Sequence, residues 1–271
     1  MSGAQESFYL LEEVTPDATV VTSTTHTAGP WSPAAQHGGP PMALMAREAA
    51  RVADPGRVLM RFTADLLGPV PVGRLRVQAG VARPGRSVEL VECRLTDLDA
   101  DRVVARAACW LGPRVEGGPA TPAPALPPGP GTGSTRGTPP GWSPGYLDAI
   151  EWSWVDGALE QPGPATVWMR PRHSLVPGEP WAPVERLLAC VDSASGASAA
   201  LDVARWQFMN TELTAHLVRE PGGEWVGLRA ETTLAGTAVG LAAAELFDER
   251  GFVGRSTQSL LVRPTSQITG R

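Results

Sequence analysis

The sequence contains no lysine. All 23 of its basic residues are arginines, and they stand singly rather than in runs. Against 28 acidic residues they leave a formal net charge of −5. A clustered basic patch is the usual mark of a protein that binds nucleic acid. The composition therefore predicts no nucleic-acid partner.

Long apolar runs are also missing, since no stretch approaches the roughly 18 to 20 residues needed to span a bilayer. Residues 1–13 have no basic segment ahead of their short apolar stretch, so we expect no signal peptide, no membrane partner and a cytoplasmic location. The three cysteines are odd in number and lack CxxC spacing. Cys93, Cys109 and Cys190 stand in apolar surroundings, which predicts buried thiols rather than disulfides, metal ligands or nucleophiles.

Several catalytic signatures are absent: GxSxG, the Walker loop, GxGxxG, HExxH and the Asp-His dyad of hydratases. We therefore expect neither a metal nor a cofactor. What the chain does have is 42% hydrophobic and 19% charged residues over 271 positions, which is typical of a globular protein with a sizeable core.

The order of predicted elements repeats along the chain. Each half has two strands, one amphipathic helix and four further strands. In the first half the strands are 7–12, 19–27, 58–67, 74–82, 88–97 and 102–111, with a helix at 42–53. In the second half they are 146–154, 164–172, 206–219, 225–234, 239–248 and 252–262, with a helix at 181–196.

Residue correspondences support an internal duplication. Residues 65–67 align with 216–218 and residues 95–97 with 246–248, both at an offset of 216 − 65 = 151. The offset falls to 149 after the next turn, which pairs Cys109 with Gln258. A duplication is the economical explanation.

A sheet of four strands that wraps an apolar helix is the hotdog fold. We therefore predict an α+β double hotdog: two antiparallel sheets, each wrapped around a long central helix. The expected boundaries are an N-terminal hotdog at 1–112, a Pro/Gly-rich linker at 113–141 and a C-terminal hotdog at 142–271. The linker is either semi-extended and partly disordered or a crossover that follows the protein surface.

The second helix carries a carboxylate beside its apolar stripe. Val184, Leu187, Leu188 and Val191 follow the i, i+3, i+4, i+7 pattern, and Asp192 lies about 80° from Val184, at the margin of that stripe. Asp192 is either a useful buried carboxylate or an ordinary rim residue bonded to a neighbouring serine.

The first helix has a different buried face and a different polar face. Its stripe is Met42, Met45, Ala46, Ala49 and Val52. On its polar side, Arg47, Glu48 and Arg51 are expected to face water.

The two helices have diverged in complementary ways. The first begins after His37-Gly38-Gly39 but has Ala46 nine residues after the histidine, whereas the second has Pro183 in place of the histidine and Asp192 nine residues on. Glycine N–H groups at a helix start suit a developing oxyanion, because the positive end of the helix dipole stands behind them. The alternatives are that the glycines serve a turn and that His37 is a capping or packing residue.

Five segments together resemble the acyl-CoA thioesterase II family of double hotdog proteins: HGGPPMALMAREAA, MRFTADLLGPVPVG, RPGRSVEL, ACVDSASG and GRSTQSLLVRP. In that family a helix Asp, a Thr of the following strand and a Gln of the last strand hold the attacking water. The resemblance carries the Asp to Asp192 and the Gln to Gln258. It places Asn210 where the family has Thr, with Thr214 four residues on and expected on the same face.

The resemblance implies hydrolysis of an acyl-CoA to a free acid and CoA. Asp192 is the expected base, Gln258 and Asn210 orient the water with Thr214 as a further candidate, and the N–H of Gly39 meets the oxyanion. His37 and Gly38 are expected to bind substrate. The partners are acyl-CoA and further copies of the chain, in a dimer or higher oligomer. The alternative, motivated by the Thr to Asn departure and the unusual linker, is a non-catalytic double hotdog that binds acyl-CoA or serves as a scaffold.

Overall fold

The computed structural model describes residues 7–135, 144–159, 161–202 and 205–265. The first half contains strands β1 (Tyr9–Val14), β2 (Ala18–Ser23), β3 (Ala28–Gly29), β4 (Ser32–Gln36), helix α1 (Gly39–Val52), and strands β5 (Arg57–Leu66), β6 (Arg74–Arg83), β7 (Glu89–Asp97) and β8 (Arg102–Pro113). The second half contains α2 (Tyr146–Ala149), β9 (Ile150–Ala158), β10 (Gln161–Pro171), α3 (Pro183–Val191), α4 (Ala194–Ala197), β11 (Trp206–Asn210), β12 (Glu212–Leu217), β13 (Val226–Leu234), β14 (Val239–Asp248) and β15 (Gly251–Pro264).

The strands form one large antiparallel sheet, so the prediction of two separate sheets is wrong. Its order is β1-β2-β6-β7-β8-β5-β12-β15-β14-β13-β10-β9, with β11 also paired to β15. The halves join where β5 pairs with β12, from Glu212 opposite Asp65 to His216 opposite Arg61. This pairing satisfies two strand edges that would otherwise expose unpaired backbone groups. Strands β3 and β4 form a small sheet of their own.

The strand registers repeat between the halves, as the duplication predicts. Asp65 pairs with Arg106 in the first half, and their counterparts His216 and Arg255 pair in the second. An irregularity recurs too. The β5–β8 register shifts between Leu59 and Arg61, and 151 residues later one extra residue, Thr211, separates β11 from β12.

The two helices pack against each other and against the large sheet, and one continuous apolar core spans both halves. Helix α1 begins three residues earlier than predicted. The predicted helix 181–196 is interrupted: α3 ends at Val191, Asp192 is its C-cap, and α4 begins at Ala194. The N–H of Ser193 bonds to the Cys190 carbonyl at 3.0 Å, a tightened last turn that ends the helix.

Two of the three polar residues of α1 are covered, which corrects the expectation that Arg47 and Glu48 face water, whereas Arg51 is exposed as expected. Arg47 is 6% exposed and Glu48 is fully buried. Arg47 donates two hydrogen bonds to the carboxylate of Glu179, at 2.8 and 2.7 Å, and Glu48 accepts from Thr19 at 2.8 Å and from Arg51 at 2.6 Å. Burial of these charges is tolerated because each one is paired.

Among the described residues Glu185, which lies beside this cluster, forms no salt bridge, and it should make stability depend on pH. Burial raises the pKa of Glu185 to about 7, from an ordinary 4.5. The folded protein therefore holds a proton that the unfolded chain has released, so stability falls as pH rises from about 4.5 to 7. We expect Glu185→Gln to raise the free energy of unfolding at pH 8 by about 2–3 kcal/mol and to change little at pH 4.5.

Urea unfolding at the two pH values measures this difference. A glutamine keeps the hydrogen bond that Glu185 accepts from the N–H of Ala182 at 3.2 Å. The exposed Glu13→Gln is the control and should show no such gain. An equal gain from Glu185→Gln at both pH values would contradict the assignment.

Residues 125–135 of the Pro/Gly-rich linker follow the protein surface. The indole N–H of Trp168 donates to the Pro128 carbonyl at 2.6 Å, Arg229 donates to the Ala125 carbonyl at 3.0 Å, and Ser134 bridges to Trp154. This favours the surface crossover for residues 125–135. Residues 136–141 of the predicted linker lie outside the described part of the chain. Within the described ranges, no helix is both long and apolar enough to cross a membrane.

Candidate functional site

Asp192 lies where α3 ends, and its buried carboxylate is contacted on both oxygens. Its side chain is 5% exposed. Oδ1 accepts hydrogen bonds from Nε2 of Gln258 at 3.1 Å and from Nδ2 of Asn210. Oδ2 lies 3.1 Å from Nδ1 of His37. The structure thus brings together four of the residues singled out in the sequence, three from the second half and one from the first.

Gln258 is held by the interrupted helix as well as by the carboxylate. It is fully buried on β15. Its Nε2 also donates to the backbone carbonyl of Asp192 at 3.1 Å, and its Oε1 accepts from the N–H of Ser195 at 3.1 Å. Both ends of the amide are therefore used, and Gln258 fixes the backbone on each side of the break between α3 and α4.

Asn210 reaches the carboxylate, but Thr214 does not, and the expectation that both face the same side is wrong. Between Asn210, opposite Leu260, and Thr214, opposite Thr257, four steps on one strand face three on the other. The extra residue is a β-bulge, and it reverses the side-chain alternation. Thr214 instead contacts Thr63 and Glu212 on the outer face, at 3.2 Å each.

His37 is fixed by a stacked aromatic ring that the sequence did not single out. The His37 ring stacks on Tyr146 with centroids 3.7 Å apart and planes 3° apart. The Tyr146 hydroxyl lies 2.8 Å from the Ala189 carbonyl, to which it donates, and 2.9 Å from Oγ of Ser193. Burial lowers the pKa of His37, partly opposed by the Asp192 carboxylate, so the imidazole is neutral at pH 7. The sequence contains no Asp-His dyad motif, because His37 and Asp192 come from different halves. The fold nevertheless places the two side chains together.

The two glycines are needed for close approach and not for a left-handed turn. Gly38 has φ −67°. A Cβ on Gly38 would lie 2.8 Å from Oδ2 of Asp192, and a Cβ on Gly39 would lie 2.0 Å from the Ala189 carbonyl oxygen. The start of α1 therefore packs directly on the end of α3. The N–H of Gly39, the expected oxyanion donor, here donates to Nδ1 of His37 at 3.1 Å.

The cysteines are buried and free, as predicted. Burial raises the pKa of the Cys190 thiol, and the hydrogen bond with Cys109 together with burial raises the pKa of Cys93. These thiols are therefore protonated at neutral pH. Among the described residues, no three His, Cys, Asp or Glu side chains are grouped so that they could hold a metal ion.

Comparison with family models gives two matches along the chain. Residues 27–112 match the acyl-CoA thioesterase N-terminal domain, and residues 130–262 match the acyl-CoA thioesterase C-terminal domain. No curated protein sequence matches the chain significantly.

Solved structures with the same fold cover almost the whole chain. A hot dog fold protein from Alicyclobacillus acidocaldarius superposes with a TM-score of 0.73 at 18% identity, over 93% of this chain and 95% of that one. A candidate thioesterase from Novosphingobium aromaticivorans gives 0.72 at 22% identity, over 93% and 97%. The acyl-CoA thioesterase II TesB2 of Mycobacterium marinum gives 0.67 at 16% identity, over 94% and 95%. At these identities the likeness establishes the hotdog fold.

Proposed function

The chain belongs to the acyl-CoA thioesterase family, a family of thioester hydrolases, and from this premise we propose that it hydrolyses an acyl-CoA at Asp192. The observation that carries the proposal is the contact of Asp192 with His37, Asn210 and Gln258. A buried carboxylate held on one oxygen by two amide donors has a fixed orientation, which a general base needs.

In the proposed reaction, Asp192 takes a proton from a water molecule while the water oxygen attacks the thioester carbonyl carbon. The new C–O bond gives a tetrahedral intermediate, which collapses with cleavage of the C–S bond. The departing sulfur then takes the proton from Asp192. The products are a carboxylic acid and CoA, and the base is restored.

The charge of Asp192 affects whether Nδ1 of His37 carries a proton, and this in turn decides whether the Gly39 N–H can bind substrate. An ionised Asp192 favours a proton on Nδ1 of His37, because two lone pairs would otherwise face each other at 3.1 Å. An Nδ1 that donates cannot accept from Gly39. We infer that the Gly39 N–H is then released to the substrate carbonyl, where the start of α1 stabilises the oxyanion.

Asn210 and Gln258 have different roles in this proposal. Gln258 is a positioning residue, since both ends of its amide are bonded to the α3–α4 break. Asn210 donates to Asp192 and has an amide oxygen that can accept a hydrogen bond from the attacking water. Asn210 therefore replaces the hydroxyl that the family places there.

The test is thiol release from a panel running from acetyl-CoA to palmitoyl-CoA, followed with a thiol reagent. We expect release that depends on chain length. The second candidate is a non-catalytic acyl-CoA-binding protein, favoured by the direct bonding of both amides to the carboxylate. Binding of acyl-CoA without thiol release from any member of the panel would support that candidate instead.

A further inference from the structure

The duplication gives the Asp192 site a counterpart at the other end of the helix pair. Strand register fixes two correspondences, Leu59 with Asn210 and Cys109 with Gln258, since Leu59 pairs with Leu111 as Asn210 pairs with Leu260. Helix position fixes the other two. The counterpart of His37 is Pro183, and that of Asp192 is Ala46. The counterpart of Asn210 is Leu59, and that of Gln258 is Cys109.

All four counterparts line one cavity of about 530 Å³. Around them the wall is formed by the C-terminal part of α1, including Ala49, Ala50 and Ala53, and by the residues that begin α3. Gly39 packs against Ala189, so the two helices run in opposite directions. Helix α1 has 14 residues and is about 20 Å long. The α1 residues that line the cavity begin at Ala46, seven residues or about 10 Å from Gly39, so the cavity lies about two helical turns from the Asp192 site.

The change of side chains has removed from this cavity the groups that thioester hydrolysis needs. The cavity itself is still present. Where the Asp192 site has a carboxylate, two amides and an imidazole, the counterpart has only apolar groups and a buried thiol. Cavities of this size are in the range of small-molecule sites, which are mostly apolar with a few polar groups. An apolar chain that moves from water into such a cavity gains the free energy of burying its apolar surface.

The rim of the cavity carries an excess of positive charge. Arg57, Arg114 and Arg250 line it against Asp54 and Glu220, a difference of 3 − 2 = +1. Arg114 and Arg250 are 58% and 64% exposed. Both contact Glu220: Arg114 pairs with its carboxylate at 2.7 Å and Arg250 donates to its backbone carbonyl at 3.2 Å. An incoming carboxylate can replace Glu220 as the partner of Arg114, because guanidinium pairs readily with carboxylate.

We propose that this counterpart cavity is a non-catalytic binding site for a free aliphatic carboxylate, with its chain among the α1 alanines and its carboxylate at Arg114. The choice of an acyl chain as occupant rests on the proposed function, since the two sites descend from one ancestor. A free acid fits better than its CoA ester, because a rim with an excess charge of one suits one carboxylate and not several phosphates.

The experiment measures binding of dodecanoate by isothermal titration calorimetry to the full chain and its variants. Ala49→Leu places a larger side chain in the cavity, and we expect it to weaken dodecanoate binding at least tenfold. Arg114→Gln should weaken it several-fold. Both should leave the turnover of acyl-CoA unchanged. Asp192→Asn should bind dodecanoate at the cavity like the wild type while losing hydrolysis.

The outcomes separate this proposal from the proposed function. If Ala49→Leu does not fold, Ala53→Leu, at the end of α1, takes its place. Unchanged dodecanoate affinity in the Ala49→Leu (or Ala53→Leu) and Arg114→Gln variants overturns the proposal, as does a cavity that takes dodecanoyl-CoA but not dodecanoate. Hydrolysis without this binding removes only the second site. Binding that depends on Ala49 in a chain that hydrolyses no acyl-CoA removes only the proposed reaction.

Discussion

Asp192→Asn is expected to lower kcat for acyl-CoA hydrolysis by about 10²–10⁴-fold, the usual contribution of a general base. The substituted amide cannot take a proton from water at neutral pH. Its oxygen can still accept from Gln258 and Asn210, and its nitrogen can donate to Nδ1 of His37. We therefore expect KM to change by no more than a few-fold and the melting temperature to stay within a few degrees of the wild type.

Steady-state thiol release and a thermal melt on the same preparation measure both effects. The matched control is Glu212→Gln. Glu212 stands two residues after Asn210, but its carboxylate bonds on the outer face to the N–H of Ser259 at 2.8 Å and to Thr214. It should keep full activity. A fully active Asp192→Asn protein would show that Asp192 is not the base, whatever the result for Glu212.

The sequence was sufficient for the parts of this site that depend on local period or on the duplication. Helical periodicity placed Asp192 at the edge of a buried stripe, and the offset between the halves aligned Gln258 with Cys109. The resemblance to the thioesterase family, and not the offset, gave Gln258 its expected place beside Asp192. The structural repeat of the bulge at Thr211 follows from the same duplication.

Other features depend on contacts that no linear pattern carries. Thr214 was expected to face the site because the alternation was taken as unbroken, and one inserted residue reverses it. Periodicity showed which face of α1 is apolar, but not that Arg47 and Glu48 are covered from the other side. The β5–β12 pairing and the stack of Tyr146 on His37 both join residues from different halves, so neither could be predicted from either half alone.

The contact between the helices should make Gly39 one of the positions least tolerant of substitution. A Cβ at Gly39 would lie 2.0 Å from the Ala189 carbonyl oxygen and 2.9 Å from its carbonyl carbon. These are backbone atoms of α3, and the same oxygen accepts from the hydroxyl of Tyr146. No side-chain rotation relieves the clash, so α1 and α3 must move apart.

We expect Gly39→Ala to lower the free energy of unfolding by about 3 kcal/mol, at the upper end for an overpacked core. For a chain of this size that is a fall in melting temperature of roughly 6–12 °C. Thiol release should also fall at least tenfold, because the movement separates His37 from Asp192. Circular dichroism melts and the thiol assay measure the two effects.

Two further glycines show whether close approach is the cause. A Cβ added at Gly196, in α4, would meet no neighbouring atom within 4 Å, so Gly196→Ala should melt at or slightly above the wild-type temperature. Gly38→Ala would meet the Asp192 side chain rather than backbone, so it should lose activity with a smaller loss of stability. If Gly39→Ala melted like Gly196→Ala, the helices would have room to separate. The packing of the two helix ends would then not be what holds His37 against Asp192.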